Sequence, residues 1–133
     1  MKKIEHIGIA VKDIASSNQL FAKLLGTAHY KMEEVESEGV ITSFFQIGEV
    51  KIELLQATTE NSAIHQHIEK RGEGIHHIAF AVENVNEELK RLKNEGFHAI
   101  HEEAKEGADG KLIAFLHPKS TNKVLTEICA DNE

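Results

Sequence analysis

Disulfides, stacking platforms and membrane spans have little to be built from in this sequence. The single cysteine, Cys129, has no partner for an internal bridge. Tryptophan is missing, tyrosine occurs once and phenylalanine six times, which leaves few rings on which nucleotide bases could stack. A formal charge of -7 opposes binding to a phosphate backbone, so nucleic acid is not an expected partner, although lysines could still gather around a small anionic ligand. No apolar run approaches the length of a bilayer span, so no membrane partner is expected either. The opening stretch MKKIEHIGIAV carries charges and a histidine where a secretory leader needs unbroken apolar residues. Together with the lone cysteine, this predicts a reducing, cytoplasmic location. With no proline-rich or low-complexity linker, the 133 residues predict a single domain, 1–133, large enough for a real core.

What the chain does have is an internal repeat. HIGIAVKDI, from His6 to Ile14, matches HIAFAVENV, from His77 to Val85, at an offset of 71. Each copy continues with a polar turn and a helical pattern. Asp13 is a candidate N-cap for Ile14, Ser17, Phe21 and Leu24, with Gly26 as the stop. In the second copy Asn84 and Glu87 resemble a capping box ahead of Val85, Leu89 and Leu92, ending near Gly96. β-rich runs follow: GVITSFFQIG and EVKIELLQA in the first copy, KLIAFLHP and KVLTEICA in the second. A third strand is expected near Ala99–Ala104, and a further helix, Ser62 to Gly72, links the copies. Each module, 1–60 and 74–133, therefore reads as βαβββ, and the fold class as α+β.

Side chains alternate along a strand. His6 shares a face with Ile4, Gly8 and Ala10, and His77 shares one with Ile75, Ala79 and Ala81. The opposite faces are bulky and aliphatic, suited to lie under a helix. An imidazole followed by two small residues is the pattern of a cavity wall. The last strand of each copy adds a glutamate among apolar neighbours, Glu53 in KIELL and Glu127 in LTEIC, 74 residues apart. A lone histidine on an apolar strand is usually hydrogen-bonded core, and a lone strand glutamate is usually solvated. Recurrence of both types in register favours a joint role. Two imidazoles and two carboxylates suit a borderline divalent cation such as Co, Ni, Zn or Mn, and burying the carboxylates without one is costly. His76 faces away from His77 and reads as structural. His65 and His67 diverge on their helix and read as surface. His98 and His101 carry no assignable signal, and the acidic run from Glu33 to Glu38 reads as solvated.

These residues resemble the vicinal oxygen chelate superfamily, and within it the methylmalonyl-CoA epimerases. The similarity is densest in GIHHIAFAVENVN, ENSAIHQHIEKRGEG and GADGKLIAFLHPKSTNKVLTE. The resemblance implies two βαβββ modules forming a curled mixed sheet around a metal-binding cavity, with metal ligands at His6, Glu53, His77 and Glu127. Some members carry glutamine in place of Glu53. The implied cofactor is a divalent metal, Co2+ first, with Ni2+, Zn2+ or Mn2+ as alternatives. The implied reaction is epimerisation of (2R)- and (2S)-methylmalonyl-CoA by proton abstraction through a stabilised enolate. Glu127 and Glu53 are the implied proton-transfer groups, and His117, Lys119 and Ser120 the implied contacts to an acyl-CoA substrate, with Lys123 nearby. Thr42 departs from the pattern. Some epimerases have a catalytic glutamate there, and a threonine cannot be the same general base. The second proton could instead come from a water on the metal or from a carboxylate between Glu33 and Glu38. The family usually forms homodimers. Alternative activities on this scaffold are a glyoxalase I-type lactoylglutathione lyase, an extradiol-type dioxygenase and a metal-free small-molecule binding protein.

Overall fold

A computed structural model describes residues 1–132. Among them are eight strands and three α-helices: β1 (Lys3–Ala10), α1 (Ile14–Leu25), β2 (Lys31–Val35), β3 (Val40–Ile47), β4 (Val50–Ala57), α2 (Ala63–Arg71), β5 (Gly74–Ala81), α3 (Val85–Asn94), β6 (Lys105–Glu106), β7 (Lys111–Leu116) and β8 (Thr126–Asp131). They form two compact units. One runs from His6 to His76; the other joins residues 1–5 to the segment from His77 onward. The first residues belong with the second module because Lys2 N–H donates to the Ala81 carbonyl at 2.8 Å, and the amino terminus lies 3.7 Å from Glu88 on α3.

In the His6–His76 unit the strand order is β2-β3-β4-β1. β2, β3 and β4 are antiparallel, and β1 runs parallel to β4. The second unit repeats this plan as β5-β8-β7-β6, with β5 parallel to β8 and β7 antiparallel to both β8 and β6. A parallel pair cannot be closed by a tight turn. In each unit the intervening helix and hairpin strands make the crossover.

The two N-caps expected from sequence are present, Asp13 accepting from Ser16 N and Asn84 from Glu87 N, and Ser62 caps α2 in the same way by accepting from His65 N, so each helix start has one of its orphan donors satisfied. The first helical N–H, at Ile14, also finds a partner 2.7 Å away in the Gln56 side chain. Helix α1 covers Val11, Phe45 and Leu54 with Phe21, Ala22 and Leu25. Helix α3 buries Val85, Leu89 and Leu92 against Ala114, Leu116 and Ile128. Ile9 and Val11 of the first predicted aliphatic face, and Val82 of the second, belong to these clusters. Each such side chain removed from water contributes roughly 1.5–3 kcal/mol. No described helix is long and apolar enough to cross a membrane.

The strand expected near Ala99–Ala104 is displaced. Pairing there is reduced to an isolated bridge between Ala99 and Leu116, and β6 comprises only Lys105 and Glu106. Side chains take the hydrogen bonds a ladder would use. Phe115 N–H donates to the His101 ring at 3.1 Å, and Ala104 N–H to Asn86 at 2.8 Å. In the acidic run Glu33 and Glu34 lie in β2 and Glu36–Glu38 forms a short 3-10 turn; Glu34 and Glu36 are exposed, and Glu33 and Glu38 half-buried.

Candidate functional site

The parallel strand pairs set the geometry of the four sequence-selected residues. In the β1–β4 pair Glu53 is the partner of Gly8, two residues beyond His6 on the same face. In the β5–β8 pair Glu127 is the partner of Ala79, two residues beyond His77. The two modules thus build the same arrangement independently. Each histidine reaches diagonally over a residue too small to obstruct it. His6 Nδ1 lies 3.1 Å from Glu53 Oε2, and His77 Nε2 lies 3.2 Å from Glu127 Oε1. His6 and His77 are each 6% exposed, Glu53 and Glu127 each 4%.

Charged groups so fully removed from water need strong partners. Neighbouring ligands on an octahedral cation, each about 2.1 Å from it, stand about 3 Å apart. The spacing within each imidazole–carboxylate pair matches that separation. Imidazole and carboxylate together also suit borderline divalent metals. The residues present fit a metal ion on both counts.

An aromatic ring supports each glutamate from the adjoining strand. Phe44 is the cross-strand partner of Glu53, and Phe115 that of Glu127. Phe115 stands edge-on to the His77 ring at 5.5 Å, and the His101 ring also packs against it at 5.9 Å. In the first module Tyr30 packs on Phe44 at 6.0 Å, and Lys31 Nζ lies 4.7 Å from the Phe44 ring centre. Sequence reasoning assigned nothing to His101. Its contact with Phe115 is made from the irregular segment beside β7, which only the tertiary structure reveals.

Thr42 is the partner of Leu55 in the β3–β4 ladder, so it shares the face of Glu53, His6 and Gly8. It is 1% exposed, and its hydroxyl has no hydrogen-bond partner among the described residues. Glu33 on β2 is directly opposite it.

His117, Lys119 and Ser120 form a 3-10 turn after β7. His117 Nδ1 accepts from Lys119 N at 3.1 Å, and Ser120 Oγ donates to the His117 carbonyl at 3.0 Å. The next residues, Asn122 and Lys123, both take left-handed backbone, φ 53° and 68°. This turn leaves the side chains of Lys119 and Lys123 exposed. The HQH pair departs from the surface reading. His65 does face outward and meets Glu69 at 3.4 Å, but His67 packs edge-on against His76 at 5.0 Å. Burial, and then the nearby Arg71, push the His67 imidazole below its ordinary value.

Known proteins carry the same plan. An ethylmalonyl-CoA/methylmalonyl-CoA epimerase of Cereibacter sphaeroides is 35% identical over 128 residues, covering 95% of this chain and 96% of that one. The human mitochondrial methylmalonyl-CoA epimerase is 33% identical over 127 residues, covering 95% and 72%. The structure of a Streptomyces coelicolor methylmalonyl-CoA epimerase variant, in complex with 2-nitronate-propionyl-CoA, superimposes with a TM-score of 0.94 at 32% identity, over 98% of this chain and 95% of that one. Residues 5–115 match the family model described as Glyoxalase/Bleomycin resistance protein/Dioxygenase superfamily, and the chain belongs to that family.

Proposed function

We propose that this protein is a metal-dependent epimerase interconverting (2R)- and (2S)-methylmalonyl-CoA. One observation carries the reading: each module buries a histidine and a glutamate about 3 Å apart, in the same register, within a chain similar over nearly its whole length to named methylmalonyl-CoA epimerases. In this reading His6, Glu53, His77 and Glu127 hold one divalent cation, Co2+ first among Co2+, Ni2+, Zn2+ and Mn2+. The cation supplies positive charge for the oxygen on which an enolate develops.

The chain's own residues do the rest. Glu127 takes the proton from the carbon between thioester and carboxylate; the C–H bond breaks, a carboxyl O–H forms, and the electron pair stays in the enolate. A proton returned to the opposite face of that carbon completes the inversion, with Glu53 as the candidate donor once it carries a proton and is released from the cation; it is left as the carboxylate while Glu127 keeps the abstracted proton. Phe115 and Phe44, opposite the two glutamates, keep bulk water from the carboxylates. Lys119 and Lys123, with Ser120 and His117, meet the coenzyme A phosphates, giving an acidic protein the local positive charge it needs. A cytoplasmic homodimer with one site per chain completes the reading, and sedimentation of the purified protein tests the dimer.

The experiment is elemental analysis of protein purified without chelator, combined with deuterium exchange from D2O into (2R)- and (2S)-methylmalonyl-CoA. Stoichiometric divalent metal and exchange into both isomers are expected. Absence of exchange with metal present, or turnover of a glutathione hemithioacetal instead, would replace this activity with another on the same scaffold.

A further inference from the structure

A buried hydroxyl with no partner is rare and costly, because folding strips its water and gives nothing back. Thr42 Oγ1 is in that state. On its face stand Val40 and Phe44 along β3, Leu55 directly across on β4 and Glu33 directly across on β2, and the Glu33 carboxylate makes no hydrogen bond to the hydroxyl. Thr42 is also diagonal to Glu53 in the antiparallel ladder, which places the two β-carbons about 7–8 Å apart or slightly less. A small anion lying against His6 and Glu53 falls within reach of this hydroxyl.

The repeat supplies an independent control. Phe44 and Phe115 occupy equivalent places, each opposite its module's glutamate. Two residues before Phe44 is Thr42, and two residues before Phe115 is Ile113. Ile113 is buried and packs with Ala79 and Cys129. The fold therefore accepts a β-branched apolar side chain at this register, so the hydroxyl of Thr42 is not needed to build the module.

We propose that Thr42 Oγ1–H donates a hydrogen bond to the free carboxylate oxygen of the acyl thioester, fixing the acid end of the substrate on the β3 side of the site. The inference rests on the acyl-CoA epimerase reading. It gives Thr42 a task a neutral hydroxyl can perform, recognition of an anion, with no proton abstraction required of it. A site built to donate to that oxygen discriminates against acyl thioesters that lack it.

The test compares wild type, Thr42→Val and Thr42→Ser in three measurements: calorimetric affinity for 2-nitronate-propionyl-CoA and for propionyl-CoA, thermal melting without ligand, and deuterium exchange into methylmalonyl-CoA. Thr42→Val keeps the shape and deletes the hydroxyl. It is expected to bind the nitronate roughly 10- to 100-fold more weakly, as for a lost hydrogen bond to a charged group, and propionyl-CoA unchanged. Its melting temperature should be equal to or above that of wild type, and Thr42→Ser should restore nitronate affinity. Equal nitronate affinity in wild type and Thr42→Val would overturn the proposal. So would a parallel loss for both ligands, a lowered melting temperature, or a serine variant that behaves like valine, each of which assigns the residue to structure. Wild type that exchanges deuterium while Thr42→Val is unaffected defeats this inference alone, whereas wild type that neither exchanges nor binds defeats the epimerase reading and this inference together.

Discussion

Glu53 and Glu127 occupy matching places, yet their substitutions should differ in effect. Glu127→Gln preserves shape and one oxygen but removes the base, so deuterium exchange should fall by about 10²–10⁴, with melting changed little. Glu53→Gln leaves an oxygen for the cation but removes the candidate donor, so deuterium should still exchange through Glu127 while inversion falls by a similar factor and metal retention on dialysis weakens. Equal losses of exchange in the two variants would show that Glu53 also takes part in the abstraction. Away from the site, Glu88 gives a pH prediction. Its hydrogen bond from Arg91, opposed by partial burial and helped by the Arg91 charge and the amino terminus, holds its carboxyl below the ordinary 4.5. The folded state thus binds fewer protons than the unfolded state just below that value. The stabilisation is complete above pH 4.5 and is lost as pH falls through the depressed folded value. Glu88→Gln should therefore melt below wild type near neutrality, and the two melting curves should converge on acidification.

Helices and turns give the next predictions. Asn84→Ala removes the side chain that accepts from Glu87 N and should cost about 1 kcal/mol in denaturant unfolding. Leu89→Ala, at 2% exposure beneath α3, should cost about 2–5 kcal/mol through lost burial and the cavity left behind. The turn before β3 needs a glycine for two separate reasons. Gly39 has φ 65°, and a β-carbon there would stand 2.6 Å from Thr59 Oγ1 and 2.9 Å from Ser62 Cβ. Gly39→Ala should destabilise the His6–His76 unit, seen as faster amide exchange in β3 and β4. Elements of this kind were legible in the sequence because caps and periodicity are local. The strand near Ala99–Ala104 was not, because the segment's own His101 ring takes the Phe115 N–H and Asn86, from α3, takes the Ala104 N–H.

For the whole molecule, a cation held as proposed would be part of the folding free energy. A metal that binds only the native state at 1,000-fold above its dissociation constant adds about 4 kcal/mol. Chelation should accordingly lower the melting temperature of wild type, while His6→Ala, with a ligand removed, should respond much less. The sequence alone determined the duplication, the strand faces and the choice of His6, Glu53, His77 and Glu127, since period-two alternation and an in-register repeat are properties of the linear chain. The tertiary structure alone decided what stands across each strand: Phe44 facing Glu53, Phe115 facing Glu127, His101 behind Phe115, and Thr42 sealed in with an unanswered hydroxyl. The physical reason is that cross-strand neighbours are fixed by ladder register between distant segments, and register depends on hydrogen bonds and packing that no single segment contains.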